Sequence, residues 1–247
     1  MIQIINLVRA FNGQVVLDGI NLEVPKGKIT VIIGKSGTGK SVLLKHIVGL
    51  LKPDSGQILI EGVDITQARG RTLKRLKQRF GVLFQGGALF DSMTVFDNVA
   101  FPLREKTTLA EAEIIHRTRE RLSQVALTAA MENKYPDELS GGMKKRVALA
   151  RALIQEPELV LFDEPVTGLD PPMTNSVFQL ITATQQKSDY TALVVSHDIP
   201  QIFAIADLVA MIHRGKIIAY GTPAEIQQDS NPLVQKFIQG NPEYIEE

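Results

Sequence analysis

Cysteine is absent, and with it disulfides and thiolate metal sites. Nor is there an excess of charge of either sign, since 27 Lys and Arg stand against 27 Asp and Glu. A net charge near zero leaves no broad field to hold a polyanion, so nucleic acid is not expected as a partner. Long apolar runs are missing too. The most apolar window, Ile202 to Ile212, contains Asp207 and falls far short of the roughly 18 to 20 residues that cross a bilayer. Met1 to Val8 alternates like a strand, with no basic region leading into an apolar stretch, so no secretion signal is expected. Any membrane role is expected to run through another protein. What remains, 44% hydrophobic and 22% charged residues, is enough for a globular chain to bury a core.

Period-two patterning flanks Asn12-Gly13, a hairpin signal, so the first 25 residues are expected to form a small antiparallel layer. Lys28 to Ile33 is a β-branched run that ends at glycine, and Ser41 to Leu51 then repeats apolar residues at helical spacing. Gln57 to Ile60 and Phe80 to Phe84 read as further strands on either side of a basic stretch, Arg69 to Arg79. Strand signals vanish between Gly87 and Gln155, where a Thr108 to Glu111 capping box is expected to open an amphipathic helix. They return at Leu159 to Phe162, Ala192 to Val195, Leu208 to His213 and Lys216 to Ala219, the last two a hairpin around Arg214-Gly215. From Pro223 a helical tail is expected. Strands alternating with helices predict an α/β fold with a mainly parallel sheet, interrupted by a helical insertion.

Gly34-Lys35-Ser36-Gly37-Thr38-Gly39-Lys40-Ser41 matches the P-loop pattern and has the strand before it and the helix after it that the pattern requires. Its glycines let successive N–H groups curl around phosphate, Lys40 reaches the β- and γ-phosphates, and Ser41 offers a hydroxyl to Mg²⁺. Leu159 to Phe162 then supplies four apolar residues followed by Asp163 and Glu164 at a strand end. Ligand sites in open α/β sheets lie beyond the carboxyl ends of strands, so Asp163 is expected near Mg²⁺ and Glu164 beside the attacking water.

Leu139-Ser140-Gly141-Gly142-Met143, ahead of a helical stretch from Lys144 to Ile154, narrows the class, because this run resembles the signature of ABC ATPases. A Ser-Gly-Gly turn at a helix N-terminus offers a hydroxyl and free N–H donors suited to a γ-phosphate. The resemblance extends from the opening hairpin to Gly221 and implies one ABC ATPase domain. Its catalytic core would be residues 1–86 and 156–222, with a helical subdomain at 87–155 and a tail at 223–247. It implies that Phe11, 29 residues before Lys40, stacks on adenine with Val16 adding apolar contact. Gln85 would touch Mg²⁺, Gly168-Leu169-Asp170 would communicate across a dimer, and His197 would contact the γ-phosphate. The other three histidines, His46, His116 and His213, are expected at the surface. Two departures from the family pattern are Met143, where glutamine is usual, and Val166-Thr167 before Gly168.

The implied cofactors are ATP and Mg²⁺, and the implied assembly is an ATP-dependent homodimer in which the P-loop of one copy faces Ser140, Gly141 and Gly142 of the other. Gln85 to Glu105 is rich in apolar residues and resembles the Mla and Mce type, ATPases that power phospholipid movement between bacterial membranes. That resemblance implies a membrane permease docked on Gln85 to Glu105, an Mce substrate-binding protein, a small regulatory subunit, and a place on the cytoplasmic face of the inner membrane. Three alternatives stay open. A soluble ABC ATPase of the iron–sulfur assembly type and an importer ATPase for another solute share these motifs, whereas a P-loop kinase would not need Leu139 to Gly142.

Overall fold

The computed structural model describes residues 1–240, so residues 241–247, the end of the expected tail, lie outside the described residues. The chain opens with β1 (Ile2–Phe11), β2 (Gln14–Val24), β3 (Ile29–Ile33), α1 (Lys40–Ile47), β4 (Ser55–Ile60), β5 (Val63–Asp64) and α2 (Gly70–Gln78). There follow β6 (Phe80–Leu83), α3 (Val95–Lys106), α4 (Glu111–Gln124), α5 (Gly141–Leu153), β7 (Leu159–Asp163) and α6 (Pro171–Ser188). It closes with β8 (Thr191–Val195), β9 (Leu208–His213), β10 (Lys216–Gly221), α7 (Pro223–Gln227) and α8 (Pro232–Ile238). These elements gather into two compact units, one of residues 1–78 with 191–240 and the other of residues 79–190.

In the first unit, β2, β1, β4 and β5 form an antiparallel sheet, and β3 pairs parallel with both β8 and β9. All five residues of β3 and of β8 are buried, as their mostly apolar sequence, broken only by Thr30 and Thr191, suits parallel strands covered on both faces. Both hairpins expected from the sequence turn on two residues with positive φ, Asn12 and Gly13 (50° and 83°) and Arg214 and Gly215 (44° and 76°). That is the turn whose twist matches the strands it joins, which is why an Asn-Gly step reads so plainly in sequence. In the second unit β6 and β7 pair in parallel, from Phe80 opposite Leu159 to Leu83 opposite Phe162. Residues 87–155 hold α3, α4 and α5 and no strand. The α/β class, the parallel pairing and the opening antiparallel layer are therefore as the sequence predicts.

Several local expectations are corrected. The capping box is not formed, because α4 begins at Glu111 with Ala110 at its N-cap and no side-chain cap. The Glu111 carboxylate is held by Arg104 instead, and Thr107, whose hydroxyl donates to the Leu103 carbonyl at 2.7 Å, closes α3. Acidic Glu111 and Glu113 in the first turn complement the helix dipole in place of a cap. The basic stretch, for which the sequence carried no structural expectation, is a helix, α2, with Leu76 buried among its charges. The helix after the P-loop ends at Ile47, four residues early, because Gly49 turns left-handed and the N–H groups of Leu50 and Leu51 both fold back onto the Lys45 carbonyl.

His46 is buried rather than at the surface. Its Nδ1 lies 2.8 Å from the Val42 carbonyl, so a neutral ring with the proton on Nδ1 fits the site. Burial holds this imidazole below its usual 6.5. The unfolded chain therefore takes up the proton first, and the stability present above about pH 6.5 is lost as pH falls. Melting temperature is expected to drop between about pH 7.5 and about pH 5.5. His46→Gln is expected to flatten that slope, and an equal slope in the variant would place the sensitivity elsewhere.

Candidate functional site

The P-loop leaves the carboxyl end of β3, where Gly34 has φ 153° and a Cβ would lie 2.4 Å from the Ile212 carbonyl oxygen. Gly39, at φ 99°, is the N-cap of α1 and packs so closely on Leu17 and Val16 that a Cβ would meet them at 2.9 Å and 3.0 Å. The Thr38 hydroxyl donates to the Lys35 carbonyl at 2.8 Å and closes the loop's turn. Lys40 is almost fully buried, and its ammonium donates to the carbonyls of Gly34 at 2.8 Å and Lys35 at 2.9 Å. Ser41 follows it in the first turn of α1.

Beside the loop is a groove of about 360 Å³ lined by Val15, Val16, Lys35 to Thr38 and His213 to Gly215. The second hairpin closes its side: the Asp18 N–H donates to the Gly215 carbonyl at 2.8 Å, which fixes the Arg214-Gly215 turn against β2. Val16 and the P-loop are thus brought together, but Phe11 does not line this groove. The Arg9 guanidinium covers one face of the Phe11 ring at 4.5 Å and is itself paired with Asp54 at 2.8 Å. Val15, half exposed, and His213 and Arg214 belong to the groove, although apart from the hairpin signals nothing in the sequence marked them as binding residues. His197 is exposed just past β8, in a turn where the Asp198 N–H donates to the Ser196 hydroxyl at 3.1 Å.

In the other unit Asp163 is buried at the end of β7 and Glu164 follows it in a left-handed conformation, φ 50°. One oxygen of the Glu164 carboxylate accepts from Gln85 Nε2 at 3.0 Å and from the Thr167 hydroxyl at 2.9 Å. Register explains the meeting, because Leu83 and Phe162 are partners and Gln85 and Glu164 each lie two residues beyond. Lys145, buried on α5, donates to the carbonyls of Gln85 and Glu164. Its sign in the sequence is a lysine in step with Leu149 and Leu153 on the buried face of an otherwise apolar helix.

Ser140 caps α5, accepting from the Met143 N–H at 3.3 Å, so the helix starts at Gly141, three residues before the expected Lys144. The N–H groups that follow carry the helix's positive end. Gly142 is buried beneath Met173, and Asp170 caps α6 by accepting from the Met173 N–H at 2.9 Å. Met143 and Thr167 leave these geometries intact.

A family model described as ABC transporter matches residues 17–167, well over half of the chain. The chain belongs to the ABC transporter family. A further model, for an AAA domain, overlaps residues 133–204. The Probable ribonucleotide transport ATP-binding protein mkl of Mycobacterium leprae is 41% identical over 97% of this chain and 69% of its own length. Its Mycobacterium tuberculosis counterpart is spanned over 66% of its length. The Intermembrane phospholipid transport system ATP-binding protein MlaF of Haemophilus influenzae is 43% identical over 97% of this chain and 90% of its own. That of Escherichia coli K12 is 44% identical over 91% and 83%.

Among solved structures, the ATP-binding cassette MJ0796, a dimer in a post-hydrolysis state with ADP and Pi, superposes with TM-score 0.83 at 27% identity, covering 90% of this chain and 99% of that one. The cbiO1 protein of Clostridium perfringens, part of the ABC transporter complex cbiONQ, gives 0.84 at 30% identity, with 99% and 96% covered. This ABC ATPase binds and hydrolyses ATP as the ATPase subunit of a transporter.

The close approaches separate two glycines of the site. At Gly34 an added Cβ would press on backbone, which cannot yield, whereas at Gly142 it would press on the mobile end of Met173. Gly34→Ala is expected to cost about 2–3 kcal/mol and Gly142→Ala under about 1 kcal/mol. Urea unfolding of both variants measures the difference, and equal losses would contradict the rigid contact with Ile212.

Proposed function

We propose that two copies of this chain clamp two ATP molecules and drive a membrane permease that moves phospholipid between bacterial membranes. What carries the cargo reading is the 43% identity to MlaF over 97% of the chain. The reading keeps a single domain, with core residues 1–86 and 156–222, a helical subdomain at 87–155 and a tail at 223–247.

Each nucleotide would lie between the P-loop of one copy and Ser140, Gly141 and Gly142 of the other. Lys35 to Thr38 would offer backbone N–H groups, and Lys40 would exchange two carbonyls for phosphate oxygens. Val16 and the uncovered face of Phe11 would receive the adenine. Ser41, Asp163 and the Gln85 side-chain amide oxygen would supply hard oxygen ligands of the kind Mg²⁺ prefers, and Gln85 turns its Nε2 rather than that oxygen toward Glu164. Bound Mg²⁺ would supply positive charge beside the β- and γ-phosphates. Glu164 would polarise the attacking water, and His197 would donate to the γ-phosphate. ATP then favours the closed pair of subunits, and hydrolysis releases it.

The docking surface for the permease would be Gln85 to Glu105. Asn98, fully buried, donates to the carbonyls of Phe90, Met93 and Thr94 and accepts from the Phe90 N–H, while Arg151 donates to the Gly87 carbonyl at 2.7 Å. The loop so held keeps Phe84 and Phe90 exposed, with Phe101 packed 4.9 Å from Phe90. A pre-shaped apolar platform of this sort suits an amphipathic helix of a partner. No described helix is long and apolar enough to cross a membrane. The proposed place is the cytoplasmic face of the inner membrane, held there by the permease. An Mce substrate-binding protein and a small regulatory subunit complete the proposed assembly.

Affinity purification from native membranes is expected to recover a polytopic permease, and ATP turnover by that complex to move fluorescent phospholipid between vesicles. A soluble scaffold recovered in its place supports the iron–sulfur assembly reading, and a permease complex indifferent to lipid supports another solute. Glu164→Gln is expected to lower kcat by about 100-fold or more while ATP still binds. Sedimentation of that variant is expected to show a dimer only when ATP is present, and a monomer throughout would overturn the shared-site mechanism.

A further inference from the structure

Lys145 is a buried cation whose ammonium is held by backbone carbonyls. Only 7% of it is exposed, and its ammonium donates to two backbone oxygens, those of Gln85 and Glu164. Burial holds this ammonium below the ordinary lysine value, with the Glu164 charge pulling the other way. A side chain that merely filled space at this point of α5 would be served better by an apolar residue, since a desolvated charge is costly unless its hydrogen bonds accomplish something.

Both carbonyls belong to residues proposed to act in turnover, and neither residue is held by its own sheet, since each lies past the end of its strand. Glu164 also carries a left-handed backbone, φ 50°, a conformation that a non-glycine residue keeps only where the surroundings enforce it. Two side-chain connections are among those that do so. Above the strand ends the side chains of Gln85 and Glu164 are joined, with Thr167 as a second donor to the same carboxylate oxygen. On the backbone side Lys145 grips both residues at once. The gripping side chain lies one helical turn after Gly141, so the first turn of α5 and the two residues form one connected body.

We infer that Lys145 is a positioning residue for hydrolysis, fixing the backbone of Glu164 and of Gln85 to the first turns of α5 and thereby aiming the Glu164 carboxylate. The inference rests on the reading of Glu164 as the group that polarises water. Lys145 touches neither nucleotide nor water in this scheme, so its loss falls on the rate of the bound complex and spares ATP affinity.

Lys145→Met keeps the stem and deletes the donors. In the full chain it is expected to lower kcat at least tenfold with KM for ATP within threefold of the parent, and Lys145→Arg, whose guanidinium can reach two carbonyls, is expected to recover at least a third of the parental rate. A Met variant within twofold of the parental kcat, a loss that falls on KM, or an Arg variant no faster than Met overturns the inference. If the Met variant is insoluble, Lys145→Gln replaces it: Arg at least fivefold faster than Gln supports the inference and equal rates overturn it. Glu164→Gln measured alongside separates the two claims. An inactive Glu164→Gln with a parental Lys145→Met removes the role of Lys145 alone, and a fully active Glu164→Gln removes both.

Discussion

Level endings of parallel strands organise the chemistry of this protein. Parallel pairing sends both chains the same way, so two strands in register stop together and deliver the residues after them to one edge. In one unit Ile32 is the partner of Val195, and the Ser196 N–H still donates to the Ile32 carbonyl at 3.2 Å, so the P-loop and the turn bearing His197 leave side by side. In the other unit Leu83 and Phe162 stop together, and Gln85 meets Glu164 two residues later. A slip of one residue in either register would turn alternate side chains to the opposite face and part these groups.

Those strands are also the parts most readable from sequence. Val31 to Ile33 and Val160 to Phe162 are apolar without alternation, which only a strand buried on both faces explains, and each ends in residues with no place in a core, glycines in one case and two acids in the other. The hairpin turns at Asn12-Gly13 and Arg214-Gly215 were legible for a local reason, the need for φ above zero. Where meaning depends on a distant partner, the sequence misleads. Thr108 and Glu111 have the spacing of a capping box, yet α4 starts only after Ala110, which leaves Glu111 in its first position with its carboxylate on Arg104. His46 has nothing beside it in sequence to signal burial, and Phe11 gives no hint that Arg9 covers half of its stacking surface.

Lys40 and Lys145 solve one electrostatic problem in the same way and with different consequences. Each is a buried ammonium whose donors point at backbone carbonyls. A carbonyl is a weaker partner than an anion, so either lysine would gain by exchanging it for negative charge. Lys40 sits among loop N–H groups suited to phosphate, so in the proposed function its carbonyl contacts are a resting arrangement that a triphosphate would displace. Lys145 instead grips the carbonyls of Gln85 and Glu164, and in the inference drawn for it these contacts persist through turnover. One lysine is held ready to let go of the backbone. The other is held so that the backbone cannot move, and a carboxylate at a left-handed residue with exposed neighbours needs the second kind of support if it is to aim at one water molecule rather than sample many.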